Sequence, residues 1–551
     1  MEKSRFTEFT PPPTTGLQPY TGSFGNPELR HLLRRTLFGV TKSDMAYFSG
    51  KSMVQVVDEL LNPTAPLPAP PVKEYVVAAT TPVPDNNIAA GSTWVNDINN
   101  DGTIASYRRA SFKKWWVGNL INQDRSILEK MTLFWHNHFA TETNDIGNAQ
   151  YVYKHHNLLR TSALGNFKTL TRNITFDPAM LVYLNGQYNT AAAPDENYAR
   201  EIQELFCCGK GPDSLYTEAD VKAAAKVFTG WLNNATTLTP YFTASRHDAT
   251  NKTFPAFYNN TVITGSKTAA GATQEIDDFL NMIFANPEVA KYMCRRLYRW
   301  FVYYDIDASV ELNVIQPLAR VFVASNWEIK PVLDTLFKSE HFFDMANRGV
   351  YIKSPFDLVL GSLRTFNIDY NVSDASNFDA QYSVWRYFNT SVMKPMEQTM
   401  GEVPNVSGWN AFYQAPSFHE YWINSNTVQR RYSFINTIFN GYYPTYNGLK
   451  VKIEVDVIAW VMQFSSSIIQ DPDELVNECV KYLLPIDIST SVKDSLKVQN
   501  LLSNQTTNSY WTTAWLNYSN SPTNATYTAV VKTRLKGLLV SIAQLAEYQL
   551  M

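Results

Sequence analysis

Between Ser106 and Trp231 nearly every stretch of the chain carries apolar residues at the three- and four-residue spacing of an amphipathic helix, broken only at Asp124, Thr143, Gly165, Asp177-Pro178 and Gly209. So long a helical run leaves room for little besides packed helices at the centre of the fold. The material for a core is present, since 45% of the 551 residues are apolar and 14% aromatic. A chain of this length leaves roughly 20,000 Å² exposed when folded against about 91,000 Å² unfolded, so long disorder is excluded.

The rest of the chain divides around that centre. Residues 1–25, with Pro11, Pro12, Pro13 and Pro19 and no periodic pattern, read as an extended arm. Asn26-Pro27-Glu28 then supplies a cap, a first-turn proline and an acid ahead of Leu29, Leu32, Leu33 and Leu37. The proline-rich stretch 62–84 reads as a surface loop or a strap, the strap being favoured by Tyr75, Val76 and Val77. Short Thr-, Tyr- and Phe-rich runs punctuated by Asn and Gly mark residues 232–273 as a strand-containing insertion. Helical spacing returns over 289–302, 310–323 and 329–337, residues 367–425 are turn-rich, and further helices are expected near 428–439, 474–484 and 535–550. No fixed repeat is present, which argues against a solenoid. The expected fold class is therefore all-α with a small β-containing insertion near 232–273, built as an arm and a single large helical domain over 26–551.

Forty-seven basic against 50 acidic residues leave a formal charge of -3, so bulk charge does not point to nucleic acid. Cys207, Cys208, Cys294 and Cys479 are too few for a disulfide scaffold and read as thiols. The first residues lack an apolar signal core, and the longest apolar run near the end, 537–546, is half a membrane span. The default expectation is a cytoplasmic protein without a membrane span, export not being excluded.

Three segments could carry chemistry. In 127–139, ILEKMTLFWHNHF, a regular helix puts His138 on the buried stripe with Met131 and Phe134, and His136 about 160° away from it. His138 then reads as a hydrogen-bonded core histidine and His136 as partly exposed, or one of them faces a pocket as proton carrier or metal ligand, joined by His155 or His156. In 195–209, DENYAREIQELFCCG, Asn197, Arg200, Glu201 and Glu204 share the face opposite Tyr198, Ala199 and Ile202. That face is either solvated, with ion pairs from Arg200 to Glu196 and Glu204, or the wall of a pocket in which Arg200 keeps one carboxylate ionised while burial prepares the other as a general acid. The third, Asp97-Ile98-Asn99-Asn100-Asp101-Gly102, matches the first half of a calcium loop, with Asp97, Asn99 and Asp101 as oxygen ligands. Arg108 stands where an EF-hand needs its bidentate Glu, so an ion-free Asn/Asp/Gly turn is the plainer reading.

Other signals are structural. Thr217 and Asp220 come close to a capping box, Val221, Ala224, Ala225 and Phe228 repeat as a packing face, and Gly230 can end the helix in the left-handed region. Arg295, Arg296 and Arg299, beside Tyr298 and Trp300, read as a helix surface engaged in ion pairs. Phosphate-loop, Cys-x-x-Cys and nucleophile-elbow motifs are missing from the sequence.

The strings HLLRRTLFG (31–39), FWHNHFAT (134–141), DPAMLVYLNG (177–186), ENYAREIQEL (196–205), YTEADVKAAAKVFTGW (216–231) and PNVSGW (404–409), in this order, resemble the bacterial family catalogued as domain of unknown function 1800. HDATNKTF (247–254), SNWEIKPVLDTLFKSEHFF (325–343) and IKSPFDLVLGSLR (352–364) are similar too. The resemblance implies a predominantly α-helical bacterial domain, often encoded beside an alkaline-phosphatase-like protein, and many members look exported. Phe206 stands where many relatives have His, and Gly401-Glu402 where they have Gly-Gln. His136, His138, Asn197, Arg200, Glu201 and Glu204 all fall on family motif positions, which adds weight to a site there.

Two functions follow as expectations. One is an acid-base enzyme, hydrolase-like or lyase-like, acting on a polar substrate such as a saccharide or a phosphorylated compound. In it Glu201 and Glu204 are the acid-base pair, Arg200 and Asn197 position the substrate, and His138 or His136 transfers protons. The other is a non-catalytic binding or assembly protein that docks the phosphatase-like neighbour through an aromatic surface including Trp409, Tyr421 and Trp422.

Overall fold

The first helix, Asn26–Thr36, shows how local chemistry sets the architecture. Its cap lies one residue earlier than the sequence implies: the Glu28 carboxylate accepts from the Gly25 N–H at 2.9 Å, and Pro27 occupies the first turn. Leu29, Leu32 and Leu33 on its inner face enter a continuous apolar cluster that extends along the chain to Met551. The computed structural model describes residues 15–76, 85–370, 377–446 and 449–551. It is predominantly helical with a small β insertion.

Described arm residues lie against the segment around Ser339. Tyr20 N–H donates to Lys338 O at 2.8 Å and Glu340 N–H to Gln18 O at 2.8 Å. Residues 1–14 of the arm and 77–84 of the proline-rich stretch lie outside the described residues. What is described of that stretch is a strap over the helix Gly102–Ile121: Trp115 Nε1 donates to Ala69 O and Ser111 Oγ to Val72 O, while Tyr75 stacks on Tyr107.

The insertion consists of two antiparallel hairpins, Trp231–Asn234 with Thr239–Phe242 and Lys252–Thr253 with Val262–Ile263. One carboxylate anchors it. Glu275, on the helix Ala269–Phe284, takes Lys252 Nζ at 2.5 Å, His247 Nε2 at 3.1 Å and the Ser266 N–H at 2.7 Å, and Lys252 and Glu275 side chains are fully buried. His247 thus pairs with Glu275, and the neighbouring Asp248 holds Thr250.

The turn-rich reading of 367–425 is corrected over part of its length, since Phe378–Arg386 is helical and continues as a π-helical turn, Tyr387–Met393. This helix packs on Gly102–Ile121 at Gly118, where an added Cβ would stand 2.6 Å from the Trp385 ring. A third hairpin, Thr445–Tyr446 with Leu449–Lys450, was not foreseen. The expected aromatic surface is corrected as well: Trp409 and Trp422 are buried, Trp409 edge-on to Phe356 and Trp422 edge-on to Phe412. The four cysteines are free and buried. Among the described residues no helix is long and apolar enough to cross a membrane.

Candidate functional site

The acidic helix departs from the regular spacing at its centre. It is α-helical over Asn197–Glu201 and then π-helical over Ile202–Cys207, with Cys208 N–H bonded to Gln203 O five residues back. Gln203 pins this turn by donating to Ala199 O at 2.8 Å and accepting from the Tyr258 hydroxyl at 3.0 Å. Each residue of a π turn advances by less than in an α-helix, so the single acidic face expected from the sequence divides. Arg200 faces outward and is held by Glu196 at 3.0 Å and by both oxygens of Glu218 at 2.6 and 2.8 Å. Asn197 beside it is exposed. Glu201 is half-buried, with Oε2 unpartnered among the described residues, and burial raises its pKa against the opposing charges of Lys210 and Arg200. Glu204, further along the turn, pairs with the exposed Lys210 and, unlike Glu201, lines a cavity.

That cavity, about 610 Å³, opens between the π turn, the loop 210–213, the helix Pro287–Phe301 and the segment Ser407–Tyr413. Arg295, Arg296 and Arg299 of the long helix line one wall beside Tyr292, whose hydroxyl donates to Leu205 O at 2.8 Å. Of the residues singled out in the sequence for chemistry, Glu204 alone lies in the lining.

The PNVSGW loop reaches the cavity because the His-bearing helix, Leu128–His138, holds it. Asn137 Oδ1 accepts from the Trp409 N–H at 2.8 Å. Gly408, at φ +101°, passes so close that a Cβ there would meet Asn137 Oδ1 at 2.5 Å. His136 and His138 flank that asparagine and point to opposite sides. His136 is buried, against the expectation of partial exposure, because Trp116 and Trp409 cover its ring at 4.9 and 5.9 Å. Burial, reinforced by His155, lowers its pKa to about 3. His138 Nε2 donates to Phe206 O at 3.0 Å, and burial followed by the charge of Arg296 pushes its pKa well below the usual imidazole range. Both rings are neutral near pH 7, and both lie behind the cavity rather than in its lining. His155 bonds Asp177 at 2.9 Å, and His156 sits among Phe112, Trp115 and Trp116.

The half-loop at 97–101 is committed to the fold. Asp97 pairs with Arg108, Asn99 Oδ1 accepts from Asp101 N–H at 2.9 Å, and Asp101 caps the helix Gly102–Ile121 by accepting from Thr103 and Ile104 N–H. Arg108 also binds Asp85, with both side chains fully buried. Calcium held by Asp97, Asn99 and Asp101 would have to displace the guanidinium and the cap together. Among the described residues no three His, Cys, Asp or Glu side chains come together closely enough to share a metal.

Two clefts of comparable size are each lined by equal numbers of cationic and anionic side chains. One, about 550 Å³, has Asp44 pairing Arg125 and Arg364, and the other, about 560 Å³, has Glu74 pairing Lys114. The residues that sequence reasoning missed are Arg296, Arg299, Ser407 and Tyr413. Their signal was the three-residue spacing of the two arginines, which the charge pattern assigned to a surface, and the motif around Ser407, whose place in space no spacing could give.

Comparison with curated proteins and with solved structures gave no match. The model of one family, described as Protein of unknown function (DUF1800), matches residues 31–550, and the chain belongs to that family.

Proposed function

We propose that the chain is an acid-base enzyme, hydrolase-like or lyase-like, that takes a polar substrate in the cavity beside the π turn, with Glu204 as its proton carrier. The observation that carries this reading is the placement of Glu204: a carboxylate in the cavity wall, facing a cationic helix, whose partner Lys210 is exposed enough to swing away when substrate enters. A carboxyl so placed can give or take a proton within hydrogen-bond reach of a bound molecule. Ser407 and Tyr413 supply hydroxyl groups to the same cavity, suited to orienting a polar substrate. Glu201, Arg200 and Asn197 lie outside the lining, so the acid-base pair of the sequence reading reduces to Glu204, and positioning passes to the arginine helix. His138 supports that helix from behind as a neutral ring. A docking role toward an alkaline-phosphatase-like partner would need a surface other than Trp409 and Trp422, which are buried.

The test is a panel of phosphoesters and glycosides incubated with the wild-type chain and with Glu204→Gln. Removing a general acid or base lowers turnover by roughly a hundredfold or more. A normally folded variant with undiminished turnover of a substrate found in that panel overturns the reading.

A further inference from the structure

Charge in the cavity is not balanced pair by pair. Five cationic and four anionic side chains line it. Lys291 pairs with Asp213 at 3.5 Å and with Glu288 at 3.6 Å, Arg295 is held by Glu311 at 2.7 and 2.8 Å and by Glu288, and Lys210 pairs with Glu204. Asp307 Oδ1 is used as a helix cap, accepting from Val310 N–H at 2.7 Å. That leaves Arg296 and Arg299, three residues apart on one face of the helix and outside every ion pair among the described residues.

Their surroundings make this arrangement costly without a counter-ion. Arg296 is only 7% exposed and has no hydrogen-bond partner among the described residues. Arg299 is half-buried; its Nε donates to Tyr304 O at 3.2 Å and its guanidinium rests over the Phe418 ring at 5.3 Å, so its terminal nitrogens have no protein acceptor among the described residues. Burial, and next the charge of Arg296, pull Arg299 down to about 10. Two guanidiniums that repel each other in one largely buried wall, with nitrogens open to the cavity, are stabilised by an anion that accepts from both.

We propose that Arg296 and Arg299, with Ser407 in the same lining, bind the phosphoryl group of a phosphorylated substrate. This names the substrate class of the cavity and rests on the reading of that cavity as a substrate site. A phosphate monoester carries close to two negative charges near neutral pH and three terminal oxygens, enough to engage two planar guanidinium forks together. A carboxylate answers one fork and one charge. A hydroxyl-rich neutral sugar answers neither charge. The volume, about 610 Å³, is that of a cavity for a small molecule bearing such a group. Ser407 Oγ lacks a protein partner among the described residues and can donate to a phosphoryl oxygen.

The experiment titrates inorganic phosphate into the full chain at constant ionic strength, followed by calorimetry and by phosphorus NMR line width. Saturable binding is expected in the wild type. It should be weakened roughly tenfold or more in Arg296→Gln and in Arg299→Gln, less in Arg296→Lys, which keeps charge but loses the fork, and little changed in Arg200→Gln, outside the cavity. Acetate should compete at least about tenfold less well than phosphate. Near-UV circular dichroism checks the fold of each variant, and Arg299→Gln, at the less buried position, serves if Arg296→Gln does not fold. Absence of saturable phosphate binding in the wild type, wild-type binding in the folded arginine variants, or equal competition by acetate overturns the assignment. Phosphate binding that depends on both arginines, together with unchanged turnover in Glu204→Gln, sustains the phosphoryl site while removing the acid-base role of Glu204.

Discussion

The side-chain carbonyl of Asn137 accepts the backbone N–H of Trp409 at 2.8 Å across 272 residues of sequence. This bond ties the His-bearing helix to the loop that delivers Ser407, and it explains why Asn137 stands between two histidines that face away from each other. Two strings that look like separate motifs are one piece of structure.

Replacing Asn137 by Ala leaves the Trp409 N–H buried without an acceptor. We expect a loss of about 1–3 kcal/mol, read as a lower denaturant midpoint with unchanged slope. Faster proteolytic cleavage in 397–408 should accompany it. Equal midpoints for the two proteins would show that the bond contributes little.

Glu275→Gln should be among the most damaging single changes in the insertion. It leaves Lys252, whose side chain is fully buried, beside a neutral amide, with one acceptor oxygen where Lys252 and His247 shared two. Uncompensated buried charge of this kind costs about 3–5 kcal/mol. Equilibrium unfolding of the variant measures it, and a cost below about 1 kcal/mol would mean that water reaches Lys252 readily.

A pH dependence is built in where Glu142 meets Glu402. The two residues form an isolated β-bridge, and Glu402 accepts from Lys113 at 2.5 Å and from the Thr143 hydroxyl at 2.6 Å. Asp145 and Tyr183 also face Glu142. Burial, followed by the hydrogen bond with Glu402, raises Glu142 to about 7 from 4.5. The folded state therefore holds an extra proton between these values, so this contribution is intact below about pH 4.5 and is lost as pH rises through about 7. Because solvent reaches the pair, the loss should be on the order of 1 kcal/mol. Denaturation midpoints between pH 5 and 8 should fall in the wild type and fall less steeply in Glu402→Gln, which keeps the burial of Glu142 but removes its acidic neighbour; parallel curves would reject the coupling.

Arg200→Gln should be mild. Its partners Glu196 and Glu218 are exposed enough for solvent to screen them, and a pair of this kind contributes about 0–1 kcal/mol. Phosphate binding and turnover should match the wild type. A large fall in either would return Arg200 to the site.

Most of the helical framework could be read directly from residue spacing. The stretch 329–337 is helical over that span, and the Thr217–Asp220 box closes as its spacing implies, with Asp220 accepting from both the N–H and the hydroxyl of Thr217. What spacing could not convey was how a face is shared among partners distant in sequence. Arg295 finds Glu311 and Glu288, as a charged surface should, whereas Arg296 on the same helix finds none among the described residues. Trp409 looked like docking surface because an indole in a turn-rich segment gives no periodic signal of burial. The division of the acidic face was hidden for a different reason: a constant angle per residue was assumed through a turn that Gln203 and Tyr258 hold wider.

That wider turn makes the orientation of Glu204 a matter of chain length as much as of side-chain identity. Shortening the stretch 202–207 by one position would let it relax to ordinary winding and carry the carboxylate off the cavity wall with every acidic residue retained. Insertions and deletions here, more than point changes, are the route by which such a scaffold would gain or lose a carboxylate in that wall.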